Sequence, residues 1–149
     1  MNRPQEFLLA PGGILIPTDR RYHREHLWIL PRPGDPRHVR IGLTAYVCRY
    51  GIEVYFVENL SPPDTPVQPG DVLGRIETEK AAGDIHSPLR GRVAAVNEAV
   101  LADPSIITLD GYGCGWIMEL EGEAEGLMAA EEYVELLKGL PVVQCYKRE

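Results

Sequence analysis

Lys80 stands alone in the middle of the chain; the other two lysines, Lys138 and Lys147, lie near its end. A lysine does chemistry in one of two ways. As a nucleophile or base it needs a lowered pKa, from burial or a cationic neighbour. Glu77, Glu79 and Asp84 instead place carboxylates around the amine in sequence, which favours the charged form and argues against Schiff-base or general-base work. As the target of acylation by another enzyme, a lysine needs only exposure and a recognisable frame. Ala81-Ala82-Gly83 provides small neighbours, leaving room for an enzyme to approach and for an attached group to move. Acylation removes the lysine charge and leaves the carboxylates in place. An exposed turn lysine is ordinarily just a solvated charge, so the frame carries the weight.

No other residue set competes strongly. Cys48, Cys114 and Cys145 are far apart and form no C-x-x-C pair, so they read as passive, reduced thiols rather than a disulfide framework or zinc site. His26 beside Trp28 reads as a packed strand histidine before it reads as a base. His23 and His86 are too distant in sequence to suggest a metal site, and no metal is expected. Gly111-Tyr112-Gly113-Cys114-Gly115 is glycine-rich, but the apolar run after it reads as a strand, which offers no helix N-terminus to a phosphate.

The elements that must position Lys80 follow from patterning. Gly70-Asp71-Val72 and Gly91-Arg92-Val93 begin two similar segments, with Lys80 almost midway between them. Two strand pairs related by a pseudo-two-fold put the intervening segment at a hairpin tip. Strands are expected at Leu27–Ile29, Val39–Leu43, Val54–Val57, Val72–Ile76, Asp84–His86, Val93–Val96 and Trp116–Leu120. Turn signals recur about every 8–12 residues, as in a β-sandwich or flattened barrel. Thr44 is placed to cap a short helix over 45–50, and Asn97 another over 98–102. Apolar positions between Leu127 and Leu137 fit one face of an amphipathic helix, stopped by Gly139 and Pro141. Residues 1–21, rich in Pro, Gly and Arg, read as an arm along the domain; 22–138 form the domain and 139–149 a tail.

The chain has 149 residues, net charge −7 and pI near 5.1. An acidic domain without a basic cluster is a poor partner for nucleic acid or anionic membrane. No segment reaches the roughly 18 consecutive apolar residues of a spanning helix, and the broken N-terminal apolar runs lack the form of an export signal. The expectation is a cytoplasmic monomer.

Glu77-Thr78-Glu79-Lys80-Ala81, followed by Asp84, Ser87-Pro88 and Gly91, resembles a lipoyl-attachment hairpin. Pro17-Thr18-Asp19-x-Arg21-Tyr22, His26-x-Trp28, Ile41-Gly42-Leu43-Thr44-x-Tyr46, Phe56-Val57-Glu58, Val96-Asn97-Glu98-Ala99, Tyr112-Gly113-x-Gly115-Trp116 and Glu131-Glu132-Tyr133 extend the likeness over residues 17–138. Together they resemble the H-protein family of the glycine cleavage system. A biotin carrier usually has methionines beside its lysine, where this chain has Glu79 and Ala81. The resemblance implies a mainly β, lipoyl/biotinyl-type flattened barrel (barrel-sandwich hybrid) with short flanking helices and a C-terminal helix. It implies a carrier rather than an enzyme, with lipoate in amide linkage to Lys80 and Glu77, Glu79, Ala81, Asp84 and Gly91 as the hairpin and its frame. The implied partners are a lipoate ligase or lipoyl transferase, dihydrolipoamide dehydrogenase, glycine decarboxylase and aminomethyltransferase.

The chain also departs from the family. His26-Leu27-Trp28 stands where the family has His-Glu-Trp, whose glutamate helps hold the amine of the loaded arm. His26 and Leu27 thus mark the expected arm cleft, with a charge-assisted hydrogen bond removed. A cargo without an ammonium would explain this. Lipoate-binding proteins of the heterodisulfide-reductase-like sulfur-oxidation system resemble H protein and carry lipoate for sulfur transfer. The sequence is therefore read foremost as a sulfur carrier docking on such a complex, with the aminomethyl carrier, or an unmodified interaction module, as its alternatives.

Overall fold

A computed structural model describes residues 6–48 and 51–141. Alternation builds the strands. In β5 (Asp35–Leu43) Val39 and Ile41 turn inward while Arg40 is partly exposed between them, the period of two expected of a half-buried strand. β5 lies between β4 (Leu27–Arg32) and β11 (Met118–Ala124) in an antiparallel sheet. With β3 (Arg21–His23), β10 (Leu89–Val96) and β7 (Pro66–Val67) the order is β3-β4-β5-β11-β10-β7. A second sheet has β6 (Val54–Glu58), β8 (Val72–Thr78) and β9 (Ala82–His86) in the order β6-β8-β9. The main core unites the two sheets: Ile29, Val39, Ile41, Leu73, Ile85, Leu89 and Leu120 all belong to one buried cluster. This is the flattened barrel-sandwich the sequence leads one to expect.

Successive side chains of β4 serve two different cores. Leu27 joins the core between the sheets, whereas Trp28 joins Tyr22, Tyr133 and the N-terminal segment. Gly42 makes this possible, because a Cβ there would stand 2.5 Å from the Trp28 ring. The indole N–H then donates to the Gly111 carbonyl at 3.0 Å, anchoring the glycine-rich loop.

Four local expectations are corrected. Residues 7–17 are no arm: β1 (Phe7–Ala10) and β2 (Ile14–Pro17) form a hairpin around Pro11-Gly12-Gly13, with Ala10, Ile14 and Ile16 buried. The helix expected over 45–50 is a turn through residue 48, with Arg49 and Tyr50 outside the described residues. Thr44 does not cap it; its hydroxyl bonds that of Tyr133 at 2.7 Å, while its carbonyl accepts from Val47 and Cys48. An additional helical turn, α2 (Ile106–Leu109), buries Ile107 after α1 (Glu98–Ala102). Trp116 lies before β11 rather than in it. As expected, Asn97 caps α1 through Ala99 N–H, and its amide donates to the carbonyls of Cys114 and Trp116.

The C-terminal helix α3 runs Ala130–Lys138, three residues later than the apolar pattern begins. Its buried residues, Ala130, Tyr133, Val134 and Leu137, follow helical spacing. Glu132 reaches back to the Ala129 N–H at 2.8 Å, and Glu131 and Lys138 complement the helix dipole at opposite ends. Tyr133 stacks on Tyr22 with ring centroids 4.8 Å apart. Of the tail, residues 139–141 are described.

Candidate functional site

β8 and β9 pair through Glu77 and Ala82, leaving Thr78–Ala81 as the connecting turn. Lys80 is exposed at this tip. Thr78, buried at the base, holds the turn: its Oγ1 accepts from the N–H groups of Lys80 and Ala81, each at 3.1 Å, and its own N–H donates to the Ala81 carbonyl at 2.7 Å. The tip is also tied to residue 53. Glu79 N–H donates to the Glu53 carbonyl at 2.9 Å, and Glu53 N–H donates to the Glu79 carboxylate at 2.8 Å. Thr78 is the residue whose role the sequence reading missed. A Ser/Thr hydroxyl two or three residues before a turn's end is the signal that could have found it.

The acidic surroundings of Lys80 differ from the expected collar. Glu79 is spent on the Glu53 backbone, and Asp84 lies 3.7 Å from Arg75. The Lys80 amine makes no ion pair among the described residues. It therefore projects free of a fixed partner, as an acylation target must.

Gly91 belongs to the scaffold, not the hairpin. It pairs with Gly122 in the larger sheet, where a Cβ on Gly91 would fall 1.9 Å from the Glu121 carbonyl oxygen. Gly70, its counterpart in the apparent repeat, has φ 91° in the turn before β8. One glycine thus serves close backbone approach and the other positive φ, so the repeat places two strands without equivalent local roles.

Beside the hairpin opens a cleft of about 140 Å³. Leu27, Leu43, Val47, Ile76 and Ile85 supply apolar lining, and Thr78 and Ala81–Gly83 bring the β8–β9 hairpin to its edge. Glu25, Asp84 and His86 add the polar groups. His86 Nδ1 lies 2.7 Å from Glu25 Oε1, an ion-pair distance without hydrogen-bond alignment. Leu27, 2% exposed, lines this cleft, which also carries charged groups. His26 is not among the lining residues. It has φ 71°, stacks on Tyr46 and lies 2.7 Å from the Tyr133 hydroxyl, and burial holds its pKa below the ordinary histidine value.

The cysteines are similarly placed apart. Cys48 is buried, and burial pushes its thiol up to about 12; Cys114 is exposed, and Cys145 lies outside the described residues. Ligand atoms of Asp35, His38 and Glu121 lie within 4.8 Å of one another, but His38 and Glu121 are already engaged by Glu119 and Arg92. No helix among the described residues is long and apolar enough to cross a membrane.

A flattened β-barrel that presents an unpaired lysine at a hairpin tip, next to a small cleft, has the form of a lipoyl/biotinyl-type carrier domain. The family model for the glycine cleavage H-protein matches residues 20–140. A glycine cleavage system H protein of Carboxydothermus hydrogenoformans is 34% identical over 128 residues, covering 83% of this chain and 95% of that one. One from Mycobacterium bovis is 34% identical over 122 residues, covering 82% and 89%. The crystal structure of the Mycobacterium marinum H protein superposes with TM-score 0.71 at 34% identity, over 84% of this chain and all of the other. This chain belongs to the glycine cleavage H-protein family, whose members carry lipoate covalently on a lysine.

Proposed function

We propose that Lys80 is the lipoyl attachment site and that the chain carries an aminomethyl group from glycine decarboxylase to aminomethyltransferase. The observation that carries this is an unpaired, exposed lysine on a Thr78-braced tip beside a cleft of matching character, in a chain matched to the family over residues 20–140. When bound, lipoate supplies a dithiolane on a long arm, which accepts and releases the cargo. The chain's own residues do the rest. Thr78 and Glu53 fix the tip, Ala81–Gly83 keep its surroundings small, and the apolar lining from Leu27, Leu43, Val47, Ile76 and Ile85 suits a hydrocarbon arm. Tethering converts each transfer into a local encounter at high effective concentration.

The sulfur-transfer reading finds no support in the comparisons, where the named relatives are glycine cleavage system H proteins. Its physical motive also weakens. Leu27 removes one carboxylate, but Glu25 and Asp84 leave two at the same cleft. Lipoate ligase or lipoyl transferase would attach the arm, dihydrolipoamide dehydrogenase would reoxidise it, and the cytoplasm is the compartment that fits a chain whose described cysteines, Cys48 and Cys114, are free.

The test is intact-protein mass after lipoylation and incubation with glycine and glycine decarboxylase. An aminomethyl increment on the lipoylated protein, lost in Lys80→Arg, is the expected result. A lipoylated protein that gains nothing contradicts the cargo, and a protein that no ligase or transferase modifies is an interaction module instead.

A further inference from the structure

The first hairpin is anchored on one face and open on the other. Leu8, Ala10, Ile14 and Ile16 pack into the core formed with Tyr22, Trp28 and α3, whereas Phe7, Leu9 and Leu15 are exposed, Leu9 to 70%. Leu9 stands opposite Leu15, and Phe7 opposite Pro17, so the exposed side chains share the outer face. The hairpin also has a free edge, because its sheet contains β1 and β2 alone. Thr18 N–H donates to the Glu6 carbonyl at 3.0 Å, and bonded pairs in an antiparallel ladder recur every second residue, so Glu6, Leu8 and Ala10 bond toward β2. On β2 the alternate carbonyls, those of Leu15 and Pro17, face outward and accept from the hydroxyls of Tyr112 and Tyr22. The matching outward groups of β1, the N–H and C=O of Phe7 and Leu9, have no partner among the described residues. No Lys, Arg, Pro or bulge within β1 blunts this edge.

We propose that β1 pairs with β1 of a second copy of this chain, antiparallel and about a two-fold axis at Leu8. The register follows from the outward groups. A centre at Leu8 sets Phe7 opposite Leu9 of the second copy and Leu9 opposite its Phe7, so both outward residues of each copy are used. Two such pairs, each exchanging both backbone bonds, put four hydrogen bonds across the seam. A two-fold contact needs one self-complementary patch, and β1 supplies it. The two hairpins then form one four-stranded sheet, in which Leu15, Leu9 and Phe7 of the second copy are successive cross-strand neighbours on one face. Glu6, the acidic residue just before β1, falls opposite Ala10 of the second copy rather than opposite another carboxylate. The hairpin lies ahead of residues 20–140, which match the family, and the seam uses neither Lys80 nor its hairpin. The product is a carrier with two arms, where the sequence alone leads one to expect a monomer.

A seam this small belongs to the weak class of interfaces, so the full chain is followed by sedimentation equilibrium from about 10 μM to about 1 mM. A monomer–dimer equilibrium is expected within that range. Leu9→Pro removes an N–H that bonds nothing within its own copy, so the hairpin keeps its ladder while the seam loses two of its four bonds. The dimer Kd should rise about tenfold or more. Leu9→Lys places a cation on the edge and should weaken the dimer as much without altering the backbone. Amide exchange of the parent should show Phe7 and Leu9 slowed at the high concentration only, and Leu8 slowed at both. A monomer throughout, a dimer indifferent to both Leu9 variants, or Phe7 and Leu9 amides equally fast at both concentrations overturns the proposal.

Discussion

Thr78 shows how much one hydroxyl does at the hairpin tip that exposes Lys80. It is buried, accepts from two backbone N–H groups and sits two residues from Lys80. Thr78→Val keeps the shape and removes the acceptor, leaving both donors without it. Urea unfolding should show a loss of about 1–3 kcal/mol, and lipoate attachment should slow because the ligase meets a looser frame; unchanged attachment would show that the turn needs no brace. Cys48 carries a different residue-scale prediction. Only the thiolate attacks a disulfide, and burial holds this thiol up to about 12. At pH 8 an aromatic disulfide reagent should label Cys114 in the native chain and reach Cys48 only after denaturant is added. Native labelling of Cys48 would return it to consideration as an exchange partner for the dithiol. The hairpin tip that exposes Lys80 was legible from its place between two similar segments. The contact of Glu25 with His86 at the cleft was not, because the two lie 61 positions apart and on different elements. No local spacing encodes that meeting.

Among elements, β10 and β11 are held at a distance that only glycine permits. Gly91→Ala would drive a methyl group into the Glu121 carbonyl, a clash with backbone rather than with a flexible side chain. We expect a loss of about 1–3 kcal/mol, read as a lower thermal midpoint, with Lys80 still exposed; an unchanged midpoint would mean that the strands part without cost. The strands were legible because alternation and turn residues agree, as in Val39–Leu43 and the Pro33-Gly34 turn. The first hairpin was hidden for the opposite reason. Pro11-Gly12-Gly13 breaks the pattern, and Phe7, Leu9 and Leu15 remain exposed on the outer side, so no clean alternation appears. The short helix expected after Thr44 failed by tertiary competition. Tyr133, brought in by α3, takes the hydroxyl that would have capped it. The start of α3 was displaced because Met128 pairs with Tyr22 as an isolated bridge before the helix begins.

For the whole molecule, buried titratable groups set a window of stability. His26 and His23 have pKa values lowered mainly by burial, so their neutral forms favour folding, and that stability is lost as pH falls below the ordinary histidine value. Burial raises Glu119, but hydrogen bonds from Arg40 and His38 outweigh it and hold the carboxylate below its usual range. Its contribution disappears at still lower pH. Tyr22 and Tyr133 are raised well above the ordinary phenol value, chiefly by burial, and Tyr112 is pushed up to about 12. Unfolding therefore releases protons at high pH, and stability should fall above about pH 10. Thermal midpoints measured across pH should form a plateau between roughly 7 and 9 with decline on both sides; a maximum near pH 5 would contradict this. The net charge of −7 is likewise a property of the entire surface. Loading by glycine decarboxylase should slow as salt rises, if oppositely charged patches steer docking. The overall architecture was readable because the family likeness and the strand pattern point the same way. The cargo was misweighted, because one substitution at Leu27 was read without the carboxylates that folding gathers around it.

The measurement closest to the central claim is peptide mapping of the chain after treatment with lipoic acid, ATP and a lipoate ligase. One lipoyl group should appear, on the peptide containing Lys80, and Lys80→Arg should carry none. Lipoyl mass on Lys138 or Lys147, or an unmodified Lys80 under conditions that modify another H protein, would contradict the account.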